Sequence, residues 1–246
     1  MKICIVGGGS AGWMTATTLV RLLDDDITLV ESPSINTISV GESTLGHIQE
    51  WIDLVGIRRG ERDFIRETGA SIKHSIKFTN WLKKDSGSFH YPFGENPTVN
   101  PEMWWRYKNT FPDEVSCNTY GQDVNLLGWI AEEGKVNMAM RYSYHFDATK
   151  FGEFLRKRYC QDVNRIKANV IGYNGDSISL DDGQEIEADL FIDCTGFKSL
   201  LLGGFLKEPF IPYDHILPND SAWATHIPYT DKESQMVAYT ECTAID

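Results

Sequence analysis

The first residues of this chain limit its possible folds more than any other feature. A short apolar run rich in branched side chains, Lys2–Val6, is followed at once by the pattern G-x-G-x-x-G from Gly7 to Gly12. Residues 11–23 then show helical spacing, and residues 27–30 form a second apolar run. A strand, a glycine-rich turn, a helix and a second strand, all within about 30 residues, predict a βαβ unit that binds a dinucleotide.

Each glycine of this turn has its own physical role. Gly7 permits the tight turn, Gly9 lets the backbone approach a pyrophosphate, and Gly12 allows close contact between helix and strand. The start of the helix supplies unpaired N–H groups and the positive end of the helix dipole. Glu31 ends the second strand, where a carboxylate accepts hydrogen bonds from ribose hydroxyls and disfavours a 2′-phosphate. The motif alone leaves open whether the nucleotide is FAD or NAD.

Composition excludes several classes of partner. The chain has 246 residues, 41% of them apolar and 24% charged, as in ordinary globular proteins. Its 35 acidic and 23 basic residues give a net charge of −12, which is unsuited to binding nucleic acid or anionic membranes. We expect no membrane span and no secretory signal, since no apolar run is long enough. The five scattered cysteines include no C-x-x-C pair, which predicts no disulfide framework, no metal site and a cytoplasmic protein.

The middle of the chain predicts a helix, a strand and an irregular insert. Residues 44–55 carry apolar side chains at helical spacing. Residues 71–80 alternate, which predicts one strand with Lys73 and Lys77 on the same polar face. Residues 85–125 are rich in glycine, proline and aromatic side chains without a regular period, and we predict irregular structure there.

The last part of the chain predicts a return to the nucleotide domain. Asp147 is placed to cap a helix that runs to residue 159. Short strands are predicted at residues 165–172, 177–180, 184–187 and 188–194. In flavoproteins of the two-dinucleotide type, a strand like the last one returns late to the nucleotide domain. The glycine after it, here Gly196, then lies close to the ADP portion of FAD.

Five segments resemble flavin-dependent tryptophan halogenases in the same order along the chain. They are GGGSAGWMTA (7–16), VGEST (40–44), GASIKHSIKFTNW (69–81), YHFDATKFGEFL (144–155) and ADLFIDCTG (188–196), and KEPFIPYDHILPNDSAWAT (207–225) is also similar. Trp13 directly after the last glycine is a mark of the family. The resemblance covers essentially all 246 residues. It implies an α/β fold: a Rossmann-like FAD-binding domain of the flavoprotein monooxygenase type (1–62 and 147–204) with an inserted irregular and β region on the substrate side (63–146 and 205–246).

The resemblance also implies a reaction. Reduced FAD (FADH2) from a separate flavin reductase reacts with oxygen and a halide ion to give hypohalous acid. This oxidant then reaches an indole or another electron-rich aromatic substrate, and a lysine positions or captures it on the way. The family motif places that lysine at Lys73, whereas the residue pattern alone leaves Lys77 equally open. Desolvation of such an ammonium would lower its pKa and improve it as a hydrogen-bond partner or nucleophile.

Further site residues follow from the same resemblance. Phe93 matches an aromatic residue that stacks on the indole, and Tyr91 stands where tryptophan halogenases commonly have histidine, which puts tryptophan itself in doubt as the substrate. His74 and His145 are expected to be structural. The expected contacts to the cofactor are Gly7, Gly9, Ser10, Ala11, Gly12, Trp13, Glu31, Gly41, Glu42, Ser43, Val170 and Gly196.

Family members are about twice as long as this chain. Their later half carries a W-x-W-x-I-P signature, a glutamate that partners the lysine, and most of the substrate pocket. None of these is present here, so we expect a C-terminal half to be missing and the active site to be incomplete within these residues. Two other hypotheses stay open: an FAD-dependent monooxygenase or oxidoreductase that uses NAD(P)H directly, and a non-catalytic FAD-binding fragment.

Overall fold

The computed structural model describes residues 1–35, 42–94 and 100–245. These residues form two compact units, each assembled from separate stretches of the chain. Unit 1 consists of Met1–Gly41, Leu54–Gly69 and Asp147–His226, and unit 2 consists of Glu42–Asp53, Ala70–Phe146 and Ile227–Asp246.

Strands and helices are numbered here in chain order. The strands are β1 (Lys2–Val6), β2 (Asp26–Glu31), β3 (Glu42–Ser43), β4 (Ser71–Lys73), β5 (Ser75–Thr79), β6 (Ser88–Pro92), β7 (Ser143–Phe146), β8 (Asn164–Lys167), β9 (Val170–Tyr173), β10 (Ser177–Leu180), β11 (Glu185–Glu187), β12 (Leu190–Asp193) and β13 (Tyr239–Thr243). The helices are α1 (Ser10–Leu22), α2 (Ile48–Leu54), α3 (Glu61–Thr68), α4 (Pro101–Thr110), α5 (Tyr120–Val124), α6 (Leu126–Glu132), α7 (Ala148–Tyr159) and α8 (Lys232–Gln235).

Unit 1 is built on a parallel sheet in the order β12-β1-β2-β8. The apolar strand β1 lies inside this sheet, and residues 3–6 are buried. Helix α1 connects β1 to β2, which completes the predicted βαβ unit. The α/β fold class with a Rossmann-like parallel sheet is thereby confirmed.

A second sheet of unit 1 is antiparallel, in the order β11-β10-β9. One buried cluster joins it to the parallel sheet, with Cys4 and Val30 from one side and Ile178 and Leu180 from the other. The predicted single strand 165–172 is wrong, because the chain changes sheets after β8. At that point the Asn169 N–H donates to the Asp181 carboxylate instead of continuing the parallel ladder.

Unit 2 contains the sheets β13-β5-β6 and β3-β7-β4. The predicted continuous strand 71–80 is wrong, because His74 interrupts it and donates its N–H to the Ala238 carbonyl at 2.8 Å. Strand β4 therefore belongs to one sheet and β5 to the other. As a result Lys73, His74 and Ser75 are buried in succession, and the predicted polar face shared by Lys73 and Lys77 does not exist.

Two further predictions need correction. The helix predicted at 44–55 begins only at Ile48. Thr44 does not belong to it, because the Thr44 N–H donates to the Tyr144 carbonyl oxygen of a neighbouring strand. The insert 85–125 is more regular than its sequence indicates, since β6, α4 and α5 lie within it. Helix α4 begins at a good start signal: the Asn100 side chain accepts from the Glu102 N–H, and proline occupies the first helical position.

Within residues 1–35, 42–94 and 100–245, no helix combines the length and apolar character needed to span a bilayer.

Candidate functional site

Of the three glycines in the G-x-G-x-x-G turn of unit 1, one borders open space and two face the protein's own backbone. Gly7 has φ +119°, and a Cβ there would lie 2.2 Å from the Cys194 carbonyl oxygen. A Cβ on Gly12 would lie 1.8 Å from the Gly7 carbonyl oxygen. A Cβ on Gly9, in contrast, would meet no described atom within 4 Å. Gly7 and Gly12 are therefore required by the protein's own backbone, whereas Gly9 borders open space.

Helix α1 begins at this open space. Gly9 is its N-cap residue and offers no side chain to pair with the first N–H groups, and the first turn contains no acidic residue. The positive end of the helix dipole is thus left for an anion. The turn fits the pyrophosphate of a dinucleotide such as FAD, because both the space and the N–H donors are present.

Glu31 ends β2 beside this turn and is already held by an arginine. Its Oε1 accepts from Nε of Arg165 at 2.8 Å and also from Nη2 of the same side chain. A Cβ on Gly8 would lie 2.0 Å from Oε2 of Glu31, so the carboxylate lies close against the turn. Arg165 lies on β8, and its partnership with Glu31 escaped the sequence analysis because the two residues are 134 positions apart.

The positions of the remaining predicted cofactor residues give no independent sign of a ligand. Trp13 is buried, and its ring lies against Gly152 of α7. Gly196 follows β12 with φ +62°, and Val170 begins β9 half-buried. Ser10 and Ala11 open α1, Glu42 lies on β3, and Gly41 lies outside the described residues. The contacts of all these residues with a cofactor stay predictions.

Lys73 of unit 2 has a different kind of surroundings. It is 1% exposed, and its Nζ donates to Oγ of Ser43 at 2.7 Å and to Oγ1 of Thr240 at 2.9 Å. No ion pair involves Lys73 in the described part of the chain. Burial lowers the pKa of Lys73 from its ordinary value to about 8, because the charged form loses solvation.

Two residues around Lys73 were missed by the sequence analysis. Thr240 of β13 also shares hydrogen bonds with Oγ of Ser43 at 2.6 Å and with Nε2 of His145 at 2.8 Å. His145, expected to be structural, thus belongs to the lysine cluster. Burial and the neighbouring charge of Lys73 lower the pKa of His145 to about 4. The only sequence signal was indirect, since His145 lies within one of the quoted family segments.

The predicted aromatic residues separate in the structure. The Phe93 ring centroid lies 5.2 Å from Nζ of Lys73, so the structure brings these two predicted residues together. Tyr91 is 61% exposed and makes no recorded contact with Lys73. His90 directly precedes Tyr91 and is buried. Its ring nitrogens are hydrogen-bonded to Oγ of Ser75 at 2.7 Å and to Glu132 at 2.8 Å.

Lys77 contrasts with Lys73 despite being four positions away. Its Nζ donates to both carboxylate oxygens of Glu132, at 2.8 and 3.1 Å. Glu132 raises the pKa of Lys77 above its ordinary value, against the opposing effect of burial. Lys77 is therefore a lysine paired with a carboxylate, whereas the hydrogen-bond partners of Lys73 are two hydroxyl groups.

Fold and sites together define a class of protein: a Rossmann-like domain with a dinucleotide-type glycine turn, joined to a unit with a buried lysine of lowered pKa. The sequence model of the tryptophan halogenase family matches residues 2–246. The chain belongs to this family, and the resemblance recognised in its sequence is confirmed.

Individual relatives agree with this assignment. The chain is 33% identical to tryptophan 7-halogenase RebH of Lentzea aerocolonigenes, covering 99% of this chain and 51% of that protein. It is also 33% identical to tryptophan 6-halogenase ThaL of Streptomyces albogriseolus, with 99% and 51% covered. The chain thus spans about half the length of the curated relatives it matches.

Solved structures give the same result. An apo structure of VirX1 matches with a TM-score of 0.90 and 36% identity, covering 99% of this chain and 51% of that one. Tar14, a tryptophan C-6 flavin-dependent halogenase from taromycin biosynthesis, matches with a TM-score of 0.86 and 30% identity, covering 100% and 52%.

Proposed function

We propose that this chain supplies the FAD-binding part and the central lysine of a flavin-dependent halogenase. The reaction would use FADH2, oxygen and a halide ion to halogenate an indole or another electron-rich aromatic compound. The observation that carries the proposal is Lys73, a buried lysine with a lowered pKa that is bonded to two hydroxyl groups beside the Phe93 ring.

Residues of unit 1 would hold the cofactor. The open space at Gly9 and the start of α1 would take the pyrophosphate, and Glu31 would accept from the ribose hydroxyls. Once reduced by a separate flavin reductase and bound here, the flavin would supply two electrons to oxygen, and the halide would supply two more as it is oxidised to hypohalous acid, with water as the other product. We assign the cofactor part to residues 1–62 and 147–204, and the substrate side to residues 63–146 and 205–246.

Lys73 would act on the hypohalous acid. With a pKa of about 8, both its charged and its neutral form are available near neutral pH. The ammonium form can donate a hydrogen bond to the oxygen of hypohalous acid. The neutral amine can instead form a nitrogen–halogen bond, in which case the hydroxyl group leaves with one amine proton as water. Both routes deliver halogen to an electron-rich ring.

For the substrate we propose only a chemical class, an electron-rich aromatic compound. Phe93 offers a flat apolar face on which an aromatic ring can stack. Tyr91 in place of the histidine common in tryptophan halogenases argues for an aromatic compound other than tryptophan itself. We also propose a cytoplasmic location, from the scattered cysteines.

The test is mass spectrometry of indole compounds after incubation with the complete form of the protein that contains this chain, FAD, a flavin reductase, NADH, and chloride or bromide. We expect the isotope pattern of chlorine or bromine in the product. Lys73→Ala should still bind FAD and oxidise reduced flavin but give no halogenated product, while the matched variant Lys77→Ala keeps activity. Normal halogenation by Lys73→Ala would refute the role of Lys73.

A second candidate function is a non-catalytic FAD-binding module, and the same assay tests it. FAD binding with no product from the wild-type chain would favour this function. Product formed from NAD(P)H without an added reductase would instead indicate a monooxygenase that reduces its own flavin.

A further inference from the structure

The hydroxyl group of Thr240 is the centre of the hydrogen-bond cluster around Lys73. Its Oγ1 lies 2.9 Å from Nζ of Lys73, 2.6 Å from Oγ of Ser43 and 2.8 Å from Nε2 of His145. These four side chains come from four different strands of unit 2, namely β4, β13, β3 and β7. Lys73 is buried, Thr240 and His145 are half-buried, and Ser43 is exposed. A hydroxyl group with three polar neighbours affects where the proton of each neighbour points.

We propose that Thr240 is a positioning residue for Lys73, whose hydroxyl group fixes the amine and leaves one of its N–H groups for the halogen donor. This inference rests on the proposed function of Lys73 and deepens it. An ammonium group has three donors, and the bonds to Ser43 and Thr240 use two of them. The third N–H is then held in one place, because two anchors prevent the amine from rotating.

His145 sets the direction of these bonds. As a neutral imidazole with its proton on Nδ1, it accepts the Thr240 hydroxyl proton at Nε2. Both lone pairs of Thr240 are then available for the donors of Lys73 and Ser43, while Ser43 accepts from Lys73. This arrangement satisfies every hydrogen bond in the cluster, and so does the other tautomer, in which Nε2–H of His145 donates to Thr240 and Thr240 donates to Ser43. In both arrangements Thr240 accepts from Lys73.

The hydroxyl groups of Ser43 and Thr240 also stabilise the charged form of Lys73, because each accepts a hydrogen bond from its Nζ. The titratable groups acting on Lys73 are His145 from β7, which is neutral, and Cys242 from β13, which raises the lysine's pKa slightly. The Phe93 ring adds a cation–π contact. Removing the Thr240 hydroxyl therefore weakens the ammonium form, and the amine should lose its proton at lower pH.

The experiment is an NMR titration of the 246-residue chain labelled with 13C at the lysine Cε atoms. The Lys73 signal is assigned by its absence in Lys73→Met, and Lys77 serves as an internal reference in every spectrum. Wild-type Lys73 should titrate near pH 8. Thr240→Val should lower the midpoint by about one pH unit, which raises the neutral fraction at pH 7 about fivefold.

Matched variants separate the hydroxyl group from packing. Thr240→Ser retains the hydroxyl and should restore the wild-type midpoint, and Thr240→Ala should shift it as Thr240→Val does, even if the latter folds poorly. An unchanged Lys73 midpoint in folded Thr240→Val or Thr240→Ala would overturn the proposal. Because the titration needs neither FAD nor halide, its outcome is independent of the halogenation assay: absent halogenation with a shifted midpoint would refute only the proposed function.

Discussion

The glycine turn of unit 1 and the lysine cluster of unit 2 are built in opposite ways. The turn consists of neighbouring residues, and its shape comes from the backbone alone: a Cβ at Gly7 or Gly12 would collide with a carbonyl oxygen, whereas one at Gly9 would not. The lysine cluster consists of side chains from distant strands, with 197 positions between Ser43 and Thr240. Local sterics therefore govern the first site, and desolvation and hydrogen bonding govern the second.

This difference predicts different responses to mutation. Substitutions in the turn should divide sharply into those that break the fold and those that only block the ligand. Substitutions in the cluster should instead change how stability and reactivity depend on pH, because a buried ionisable group links protonation to folding.

The largest effects are expected in the glycine turn. Gly12→Ala should destabilise unit 1 by about 3 kcal/mol and abolish FAD binding, because its Cβ would lie 1.8 Å from the Gly7 carbonyl oxygen. Gly9→Val should change stability by less than about 1 kcal/mol, yet weaken FAD binding about a hundredfold by filling the open space. Thermal unfolding and flavin fluorescence titration measure the two quantities. Unchanged FAD affinity in Gly9→Val would refute the nucleotide-site assignment.

The next effect concerns the two lysines. The pKa of Lys73 is 10.5 in the unfolded chain and about 8 in the fold. Between these values the unfolded chain holds more protons, so stability should rise with pH by about 3 kcal/mol. Lys73→Met should remove this rise. Urea unfolding at pH 7.5 to 10.5, a range that includes both pKa values, measures it.

Lys77→Met is the matched control. The raised pKa of Lys77 means that its contribution is complete below its ordinary pKa and is lost as pH rises through the higher value in the fold. The control variant should therefore be less stable than wild type at neutral pH. Lys73→Met should instead be more stable than wild type there, because it removes a buried charge. If both lysine variants behaved alike, the contrast between the buried and the paired lysine would be wrong.

A smaller effect of the same kind is expected for His145. Its pKa falls from an ordinary 6.5 to about 4, so the unfolded chain holds more protons between these values. Stability should drop by about 2 kcal/mol as pH falls from 7 to 4.5, which covers most but not all of this window. His145→Gln should flatten the drop in unfolding experiments at pH 4.5 and 7, whereas His215→Gln in an exposed segment should leave it in place.

The smallest effect is expected at Glu31. Glu31→Gln keeps the size of the side chain but removes its charge, and we expect FAD binding to weaken about tenfold. Arg165→Lys, which preserves a positive charge beside the carboxylate, should have less effect. Flavin fluorescence titration distinguishes these results, and equal FAD affinity in Glu31→Gln and wild type would show that Glu31 does not contact the ribose.

How far the sequence could predict each region follows from the same difference. The βαβ unit was predictable because the apolar run, the glycines and the helix are contiguous. The break between β4 and β5 at His74 was not predictable, because the His74 N–H donates to the carbonyl oxygen of Ala238, a residue 164 positions later in the chain. The same long-range bonds separate β4 from β5 and give Lys73 and Lys77 their different surroundings.

The sequence by itself determined the nucleotide turn, the α/β fold class and the family, since each depends on residues close together or on ordered motifs. Only the tertiary structure decided that Lys73 rather than Lys77 lacks a carboxylate partner and that Thr240 and His145 belong to its cluster. The physical reason is that desolvation and hydrogen bonding depend on which distant strands meet, and no local pattern in the chain encodes that meeting.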